Sequence, residues 1–241
     1  MRVAGERVGA STVGALVVVP DVVGVDAGAS ILLRDTFGGD TLSSAWTLTQ
    51  GGGDSCTAAV DGGELVMTVT AGGVGQDLWF NGDEGPLLAI DVDGDFEVIA
   101  TLRVRNGDDS GPCPSNDGAY RQFGVSMQDP DRTLLNYVSL SIGDSAAADL
   151  RCEWKTTVDS VSVFDSISAP SGAGQIRCRR TWQVFDLHYR ATAGSSWTLV
   201  QSIDRTASPM PAVLAVGLIV YASTADPDIT GYCDAITIAA R

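Results

Sequence analysis

The sequence has few of the residues that most often carry catalysis or hold metal ions. His188 is the single histidine, and Lys155 is the only lysine among the 15 basic residues. None of the five cysteines belongs to a Cys-x-x-Cys pair, which argues against a cysteine and histidine zinc site. A Ser-His-Asp triad would need His188, which alternates with Asp186 on the polar side of "VFDLHYR". We interpret this histidine as a solvated or hydrogen-bonded strand residue.

Positive charge and long apolar runs are also scarce. The chain has 30 acidic against 15 basic residues, a net charge of −15, so nucleic acid and anionic membranes are not expected as partners. The apolar part of residues 1–30 is interrupted by Pro20 and Asp21, and it is far too short to span a bilayer. For a chain of 241 residues, one main domain is expected.

Residues 1–30 differ in composition from the rest. Arg2 and Arg7 precede an apolar patch, as in a secretory signal, but Glu6 lies within the charged part. Two interpretations remain open, a signal peptide and an N-terminal arm, and we favour the arm. An arm rich in valine and glycine suits docking on another subunit, so a homo-oligomer or a larger assembly is predicted. The domain itself is predicted to span residues 31–241.

From residue 31 onward, short runs of alternating apolar residues are separated by Gly, Asp, Asn, Ser and Pro. This pattern predicts about 13 strands at intervals of roughly a dozen residues. No stretch sustains the apolar period of a helix. Strands at this density indicate a two-sheet sandwich or a closed barrel. The predicted fold class is therefore all-β.

The stretch "LLAIDVDGDFEVIATL" places Asp91, Asp93, Asp95 and Glu97 at every second position. On one strand these carboxylates would share a face, as the acid pair of a glycan-cleaving enzyme requires. A cation-binding loop is the second interpretation. Gly94 favours a third, because Asp-Gly between alternating apolar runs predicts a hairpin. Asp91 and Glu97 then lie on different strands, and the row of carboxylates is broken.

Two cysteines lie in strands that the sequence predicts to be neighbours. They are Cys152 in "LRCEW" and Cys178 in "QIRCRR". A disulfide between them is one interpretation, and the other is a pair of buried thiols, since free cysteines are commonly buried. With five cysteines in all, at least one thiol stays unpaired in any monomer.

Several segments resemble a known superfamily when they are taken together. They are "LLRDTFGGDTLSSAWTLTQ", "GGELVMTV", "QDLWF", "PLLAIDVDGDFEVIATL", "YRQFGVSMQDPDRTLLNYVSLSIG", "RCEWKTT", "IRCRRTWQVFDLHYRATAGSSWTLVQSI" and "VGLIVYAS". In this order and spacing they resemble the concanavalin A-like lectin and glucanase superfamily across residues 31–241. Within it they are most similar to the non-catalytic modules of the DUF1349 and laminin-G-like type. The resemblance implies a jelly-roll sandwich of two antiparallel sheets, one of them concave.

The resemblance also bears on catalysis. The catalytic glucanases of this superfamily carry Glu-x-Asp-x-(x)-Glu on a concave strand. Here "EVIATL" lacks the second and third acids, and "DLHYRA" has a single Asp. Retaining hydrolysis needs two carboxyl groups about 5 Å apart, and the sequence indicates no such pair. We therefore predict that the protein is not an enzyme.

Sugar-binding sites present an aromatic ring to the apolar face of the sugar and polar groups to its hydroxyls, in line with general pocket anatomy. Trp79 in "QDLWF" matches a DLW or DFW position near the concave sheet of the resembling modules. The predicted ligand-binding residues are Trp79, Tyr120, Arg121, Tyr137 and Trp154. Core packing is the alternative for each aromatic residue, and core or edge packing is the interpretation given to Trp46, Trp182 and Trp197.

Many sandwiches of this superfamily hold a structural calcium ion. Asp35 and Asp234 lie in the first and last β-runs, which often pair in such folds, so they are the predicted metal ligands. The alternative is that both are ordinary polar edge residues. No other cofactor is expected.

These observations predict a non-catalytic, lectin-like sandwich that binds a glycan or a cell-surface polysaccharide. Residues 1–30 and the missing active site favour a structural component of a bacteriophage particle, such as a decoration, spike or tail protein, whose arm docks on other virion subunits. The alternative is a secreted bacterial carbohydrate-binding module, and a glycan-active hydrolase is the third reading. The expected location is the virion surface or the extracellular space.

Overall fold

Sixteen β-strands form the regular structure of the part of the chain that is described. The computed structural model describes residues 29–50, 56–69, 76–79, 85–106, 120–131, 133–145, 147, 149–224 and 229–241. The strands are β1 Ser30–Asp35, β2 Thr47–Thr49, β3 Cys56–Asp61, β4 Glu64–Val69, β5 Gln76–Leu78, β6 Leu87–Asp93, β7 Phe96–Asn106, β8 Arg121–Gln128, β9 Tyr137–Asp144, β10 Leu150–Val158, β11 Val161–Ser168, β12 Ala173–Thr181, β13 Val184–Arg190, β14 Thr198–Asp204, β15 Val213–Thr224 and β16 Ile229–Ala240. Within these ranges no helix is long and apolar enough to cross a membrane.

The strands form two sheets of eight strands each. In sheet I the order is β14-β13-β12-β7-β16-β4-β3, with β1 also paired to β16. In sheet II the order is β11-β10-β9-β8-β15-β6-β2, with β5 also paired to β15. Every pairing between strands is antiparallel. The predicted all-β sandwich of two antiparallel sheets is confirmed.

The core lies between the two sheets and follows from strand alternation. On β7, Phe96, Val98 and Ala100 point inward and are almost fully buried, because alternate side chains of a strand share a face. On β8 the inward side chains are Phe123 and Val125, and both are fully buried. Each large apolar side chain buried in this way stabilises the fold by about 1.5–3 kcal/mol.

The Asp93–Gly94–Asp95 corner turns the chain as predicted, but it does not close a hairpin. Gly94 has φ +73°, a backbone conformation that glycine adopts without strain, and its N–H donates to the carbonyl of Ala212 at 3.2 Å. The strand before the corner, β6, belongs to sheet II, and the strand after it, β7, belongs to sheet I. The hairpin prediction is therefore wrong, because each strand finds its partners in a different sheet. Asp91 and the residues beyond the corner consequently lie in different sheets, so the row of carboxylates is broken even more completely than expected.

The two cysteines predicted to be neighbours belong to opposite sheets. Cys152 lies on β10 of sheet II and Cys178 on β12 of sheet I, and both are fully buried in the core between them. The four described cysteines are free thiols, so the interpretation as buried thiols holds and the disulfide is absent. Burial raises the pKa of Cys178 and, together with the nearby Cys178, that of Cys152. Cys113 lies outside the described residues.

A buried carboxylate joins three elements on the outer face of sheet I. Glu97 is only 2% exposed, and its Oε2 accepts from Arg179 at 2.8 Å and from Arg241 at 3.1 Å. Arg177 lies at 4.0 Å from the same oxygen. These arginines tie β12 and the C-terminal residue to β7.

We expect Glu97→Gln to lower the free energy of unfolding by about 3 kcal/mol, because it leaves the arginines unbalanced around a buried position. Denaturant titration measures this change. The control is Asp149→Asn, whose pair with Arg151 is well exposed and should contribute nothing measurable. Equal transition midpoints for Glu97→Gln and the wild type would show that the buried cluster does not stabilise the fold.

Candidate functional site

The outer face of sheet II is polar although it is buried. The side chains of its central strands that point away from the core are Gln122, Ser126 and Gln128 on β8, Tyr137, Ser139 and Ser141 on β9, and Glu153, Lys155 and Thr157 on β10. All nine are at most 5% exposed. We call this set the polar face.

Burying a polar atom costs free energy unless it finds a hydrogen-bond partner. The Oγ of Ser141 donates to the Oε1 of Gln122. Several other buried atoms have no hydrogen-bond partner, namely Gln122 Nε2, Ser126 Oγ, Glu153 Oε1 and both amide atoms of Gln128. Unsatisfied groups concentrated on one face in this way are suited to binding water or a hydroxyl-rich ligand.

Trp79 covers one part of the polar face and is held through its backbone. Its carbonyl accepts from the Nζ of Lys155 and, at 3.2 Å, from the hydroxyl of Tyr137. Its indole N–H donates to the carbonyl of Pro86 at 3.3 Å, and a Cβ at Gly85 would lie 2.5 Å from the ring. The only lysine of the protein thus holds this tryptophan in place.

The four aromatic residues predicted to bind a sugar occupy three different positions. Trp79 and Tyr137 meet edge to face with ring centroids 5.3 Å apart, and they are 1% and 0% exposed. Tyr120 packs edge to face on Tyr221 with centroids 5.2 Å apart. Trp154 points the other way, toward the core, and is half-buried there.

Three of the predicted aromatic residues, Trp79, Tyr120 and Tyr137, are buried, whereas Trp154 is half-buried. Tyr120 is 8% exposed and Arg121 is 7% exposed. Protein neighbours cover the three buried rings, so the packing alternative describes the observed positions of Trp79, Tyr120 and Tyr137. Their role in ligand binding stays a prediction.

Glu153 is the one carboxylate among the nine residues of the polar face. Burial raises its pKa to about 7, against smaller lowering effects of the charge of Lys155 and the hydroxyl of Tyr221. The charge of the exposed Asp165 also raises the pKa of Glu153 slightly. Asp165 pairs with Trp154 across β10 and β11 and is not part of the polar face. A carboxyl group in this setting exchanges protons near neutral pH.

A cavity of about 360 Å³ opens on the same side of sheet II, beside the polar face. Its lining includes Thr47 and Thr49 of β2, the small side chains Ala89 and Ala215, and Gln128. Gln128 is 1% exposed, and neither atom of its amide has a partner. The cavity therefore combines a small apolar floor with a buried amide that is free to donate and to accept.

Two carboxylates complete the lining of the cavity. Asp91, Ala215 and Gln128 stand in one row across three adjacent strands, so about 10 Å separates the first from the last. Asp129 also lines the cavity, and its Oδ1 accepts from the N–H of Asp131 at 2.9 Å. The sequence signal for this site is the alternation of Gln122, Ser126 and Gln128 in "RQFGVSMQ", which contains none of the predicted aromatic residues.

The predicted calcium ligands are occupied by protein partners. Strands β1 and β16 pair as predicted, but Asp35 accepts from the N–H of Phe37 at 2.8 Å and from the indole of Trp46 at 2.9 Å. Burial and a hydrogen bond with Glu64 raise the pKa of Asp234 to about 6. Across the described ranges no group of three or more His, Cys, Asp or Glu residues is placed to hold a metal ion. The residues present do not fit a calcium site as they stand, and the ion stays a prediction.

No family model and no curated protein sequence matches the chain. Solved structures do. A mutant GH43 protein from Bacillus licheniformis aligns with TM-score 0.63 and 13% identity over 86% of this chain, which spans only 39% of that one. The CBM2 module of the evolved Dit of Lactobacillus casei BL23 phage J-1 aligns with TM-score 0.59 and 9% identity, covering 88% of this chain and 95% of the module.

A third structure is an immunostimulatory antigen and pseudo β-1,3-glucanase of Mycobacterium tuberculosis, with TM-score 0.57 and 11% identity over 88% of this chain and 99% of that one. The fold is a β-sandwich of two antiparallel sheets, and the resemblance to the concanavalin A-like superfamily stays a prediction. At these identities the likeness shows the fold alone. The finer similarity to DUF1349 and laminin-G-like modules stays a prediction.

The raised pKa of Glu153 predicts a pH dependence of stability. In the unfolded state Glu153 has a pKa of 4.5 and loses its proton at a lower pH than in the folded state. Stability of about 3 kcal/mol that is fully present below about pH 4.5 is therefore lost as the pH rises through about 7. Urea titrations of the wild type and of Glu153→Gln at pH 5 and pH 8 measure it, with Asp61→Asn, an exposed residue of β3 on sheet I, as the control. An unchanged pH slope in Glu153→Gln would contradict the assignment.

Proposed function

We propose that the protein is a non-catalytic glycan-binding β-sandwich whose ligand occupies the cavity beside Gln128. The observation that carries this proposal is the buried amide of Gln128, which lines the cavity with both of its atoms unpartnered. A sugar hydroxyl both donates and accepts hydrogen bonds, so it satisfies an amide at both atoms. An apolar ligand would leave the amide unsatisfied.

The remaining lining fits a neutral sugar. Thr47, Thr49 and Asp91 offer hydroxyl and carboxylate groups around the small floor at Ala89 and Ala215. The net charge of −15 repels polyanions, and none of the lining residues is basic. We therefore expect a neutral glycan, such as a cell-surface polysaccharide, rather than an acidic one.

The polar face does not supply the acid pair that glycoside hydrolysis uses. Two carboxyl groups must lie about 5–5.5 Å apart for retention and about 6.5–9.5 Å apart for inversion. On the polar face, Glu153 has Lys155 rather than a second carboxylate as its charged neighbour. This supports a protein that binds without cleaving.

A glycan-active hydrolase is the second candidate, because Asp91 and Asp129 line the same cavity. One oxygen of Asp129 already accepts from the N–H of Asp131, which favours a structural role for it. Release of reducing ends from a β-glucan, a xylan or a mannan, abolished by Asp91→Asn, would establish the hydrolase instead of the binding protein.

Gln128→Leu should weaken polysaccharide binding at least about tenfold, because it replaces the amide by an apolar group of similar volume. Affinity electrophoresis through gels containing a β-glucan, a xylan or a mannan measures the effect. The matched control is Gln201→Leu on β14 of sheet I, which should migrate like the wild type. Retardation of Gln128→Leu equal to that of the wild type would exclude the cavity as the binding site.

We further propose that the sandwich is displayed on a bacteriophage particle through an N-terminal arm, the alternative being a secreted carbohydrate-binding module. The alignment with a phage Dit module, which covers 95% of that module, supports the phage-particle alternative at the level of fold. The predicted arm, residues 1–30, falls largely outside the described residues, which begin at residue 29. Strand β1 begins at Ser30, so a chain that starts at Ala29 retains every described strand.

Light scattering on the full chain and on a chain that starts at Ala29 tests the docking role. We expect an oligomer for the full chain and a folded monomer for the shorter one, because docking segments bring subunits together without contributing to the core. Circular dichroism checks the fold of the shorter chain. Two monomers would favour the secreted module, and an unfolded short chain would place the segment in the core.

A further inference from the structure

Trp182 occupies a position where its side chain is exposed and its backbone is strained. It is 66% exposed, whereas Trp46 and Trp79 are buried and Trp154 and Trp197 are half-buried. It forms, with Gln183, the two-residue turn between β12 and β13. The expectation that Trp182 packs in the core or at an edge is therefore wrong.

The turn has a backbone that favours glycine at this position. Trp182 has φ +53°, and Gln183 is not among the residues with positive φ, which is the pattern of a type II′ turn with glycine at the first central position. A bulky residue at positive φ is a conformational outlier. In the β3–β4 hairpin of the same sheet, Gly62 and Gly63 occupy the corresponding positions. The protein therefore has a tryptophan at a turn position whose backbone conformation favours glycine.

A network of hydrogen bonds fixes the strained backbone. The N–H of Trp182 donates to Oδ1 of Asp95 at 2.6 Å, and its carbonyl accepts from Nε of Arg180 at 2.9 Å. Arg180 is 3% exposed and also donates to the carbonyls of Ala212 and Pro211 at 2.7 Å.

The next residue of the turn is fixed as firmly. The amide of Gln183 donates to the carbonyl of Met210 at 2.9 Å and accepts from its N–H at 2.8 Å. The side chain of Trp182, by contrast, has no aromatic or cationic partner among the described residues. The structure thus fixes the backbone of Trp182 and leaves its indole open.

Strain that a surrounding network maintains without any gain in packing is typical of functional positions. We propose that Trp182 is a second ligand contact of this protein, on which a pyranose ring stacks, separate from the cavity beside Gln128. The choice of a sugar as the ligand rests on the proposed function, whereas the choice of Trp182 as a contact residue does not.

The chemistry at Trp182 fits a sugar. The face of an indole is electron-rich and attracts the polarised C–H groups on the apolar face of a pyranose. Asp95 lies at the backbone of Trp182, and Asp93 is close enough to act on Arg180 as well, so carboxylates are available for hydroxyl groups at the rim. A quaternary ammonium ion, the other ligand class for an indole, is usually bound in a cage of several aromatic rings, and the described residues place a single ring here.

Fluorescence quenching of the full chain tests the proposal, because Trp182 is the most exposed of the five tryptophans. Acrylamide quenching is measured with and without a soluble β-glucan, xylan or mannan, and choline chloride serves as the cationic probe. We expect one polysaccharide to shield the accessible fraction of the emission. Choline should leave it unchanged, and shielding by choline alone would overturn the sugar assignment.

Two substitutions separate binding from folding. Trp182→Gly should lose at least tenfold in affinity for the shielding polysaccharide while its melting temperature stays equal or rises, because glycine is preferred in this turn. Phe164→Ala removes another half-exposed aromatic residue, on β11, and should bind like the wild type. Unchanged affinity of Trp182→Gly would overturn the inference.

The cavity and Trp182 are distinguished by comparing their variants. Loss of affinity in Trp182→Gly but not in Gln128→Leu would keep the inference and reject the cavity. Loss in Gln128→Leu alone, with unshielded tryptophan emission, would keep the proposed function and reject the inference. If no polysaccharide shields the emission or retards the protein, both are rejected.

Discussion

The whole molecule depends on the burial of two apolar sheet faces against each other. Each sheet has eight strands, and alternation along each strand directs one set of side chains into the shared core. The side chains that alternate with the core residues are then held on the outer faces, at positions set by the strand register. The polar face, the cavity and the arginines around Glu97 are all consequences of this single packing constraint, because each is built from the side chains that the core does not use.

The two outer faces solve the burial of polar groups in different ways. On sheet I, Glu97 is neutralised by arginines that reach it from neighbouring elements. On sheet II, Lys155 donates a hydrogen bond to the carbonyl of Trp79. The side-chain amide of Gln128 lines a cavity and has no hydrogen-bond partner. The first arrangement balances the buried charge within the protein and is therefore structural, although Oε1 of Glu97 has no hydrogen-bond partner. The second is incomplete without a ligand or water, and for that reason it is the better candidate for function.

The Asp93–Gly94–Asp95 corner links these faces. It carries the chain from sheet II to sheet I, and it sits between Asp91 in the cavity lining and the hydrogen bond that fixes Trp182. The pattern predicted a turn correctly because Asp-Gly is a local signal. It predicted the wrong kind of turn because strand pairing depends on the whole sheet. Strand β6 pairs with β15 and β7 pairs with β12, and both partners lie far along the sequence. The same limitation applied to Cys152 and Cys178, whose strands face each other across the core rather than side by side.

The sequence by itself determined most of the strands, their inward faces and the all-β class, because these follow from alternation and turn residues within a few positions of each other. It predicted about 13 strands, whereas the described residues form 16. It also determined that the acidic row was broken. Only the tertiary structure decided which aromatic residues are accessible. The sequence favoured Trp79 as a ligand contact and Trp182 as a packed residue, yet the first is covered and the second is open, since exposure depends on segments that are distant along the chain. The cavity at Gln128 was likewise decided by three-dimensional packing, which brings β2, β6, β8 and β15 to one place.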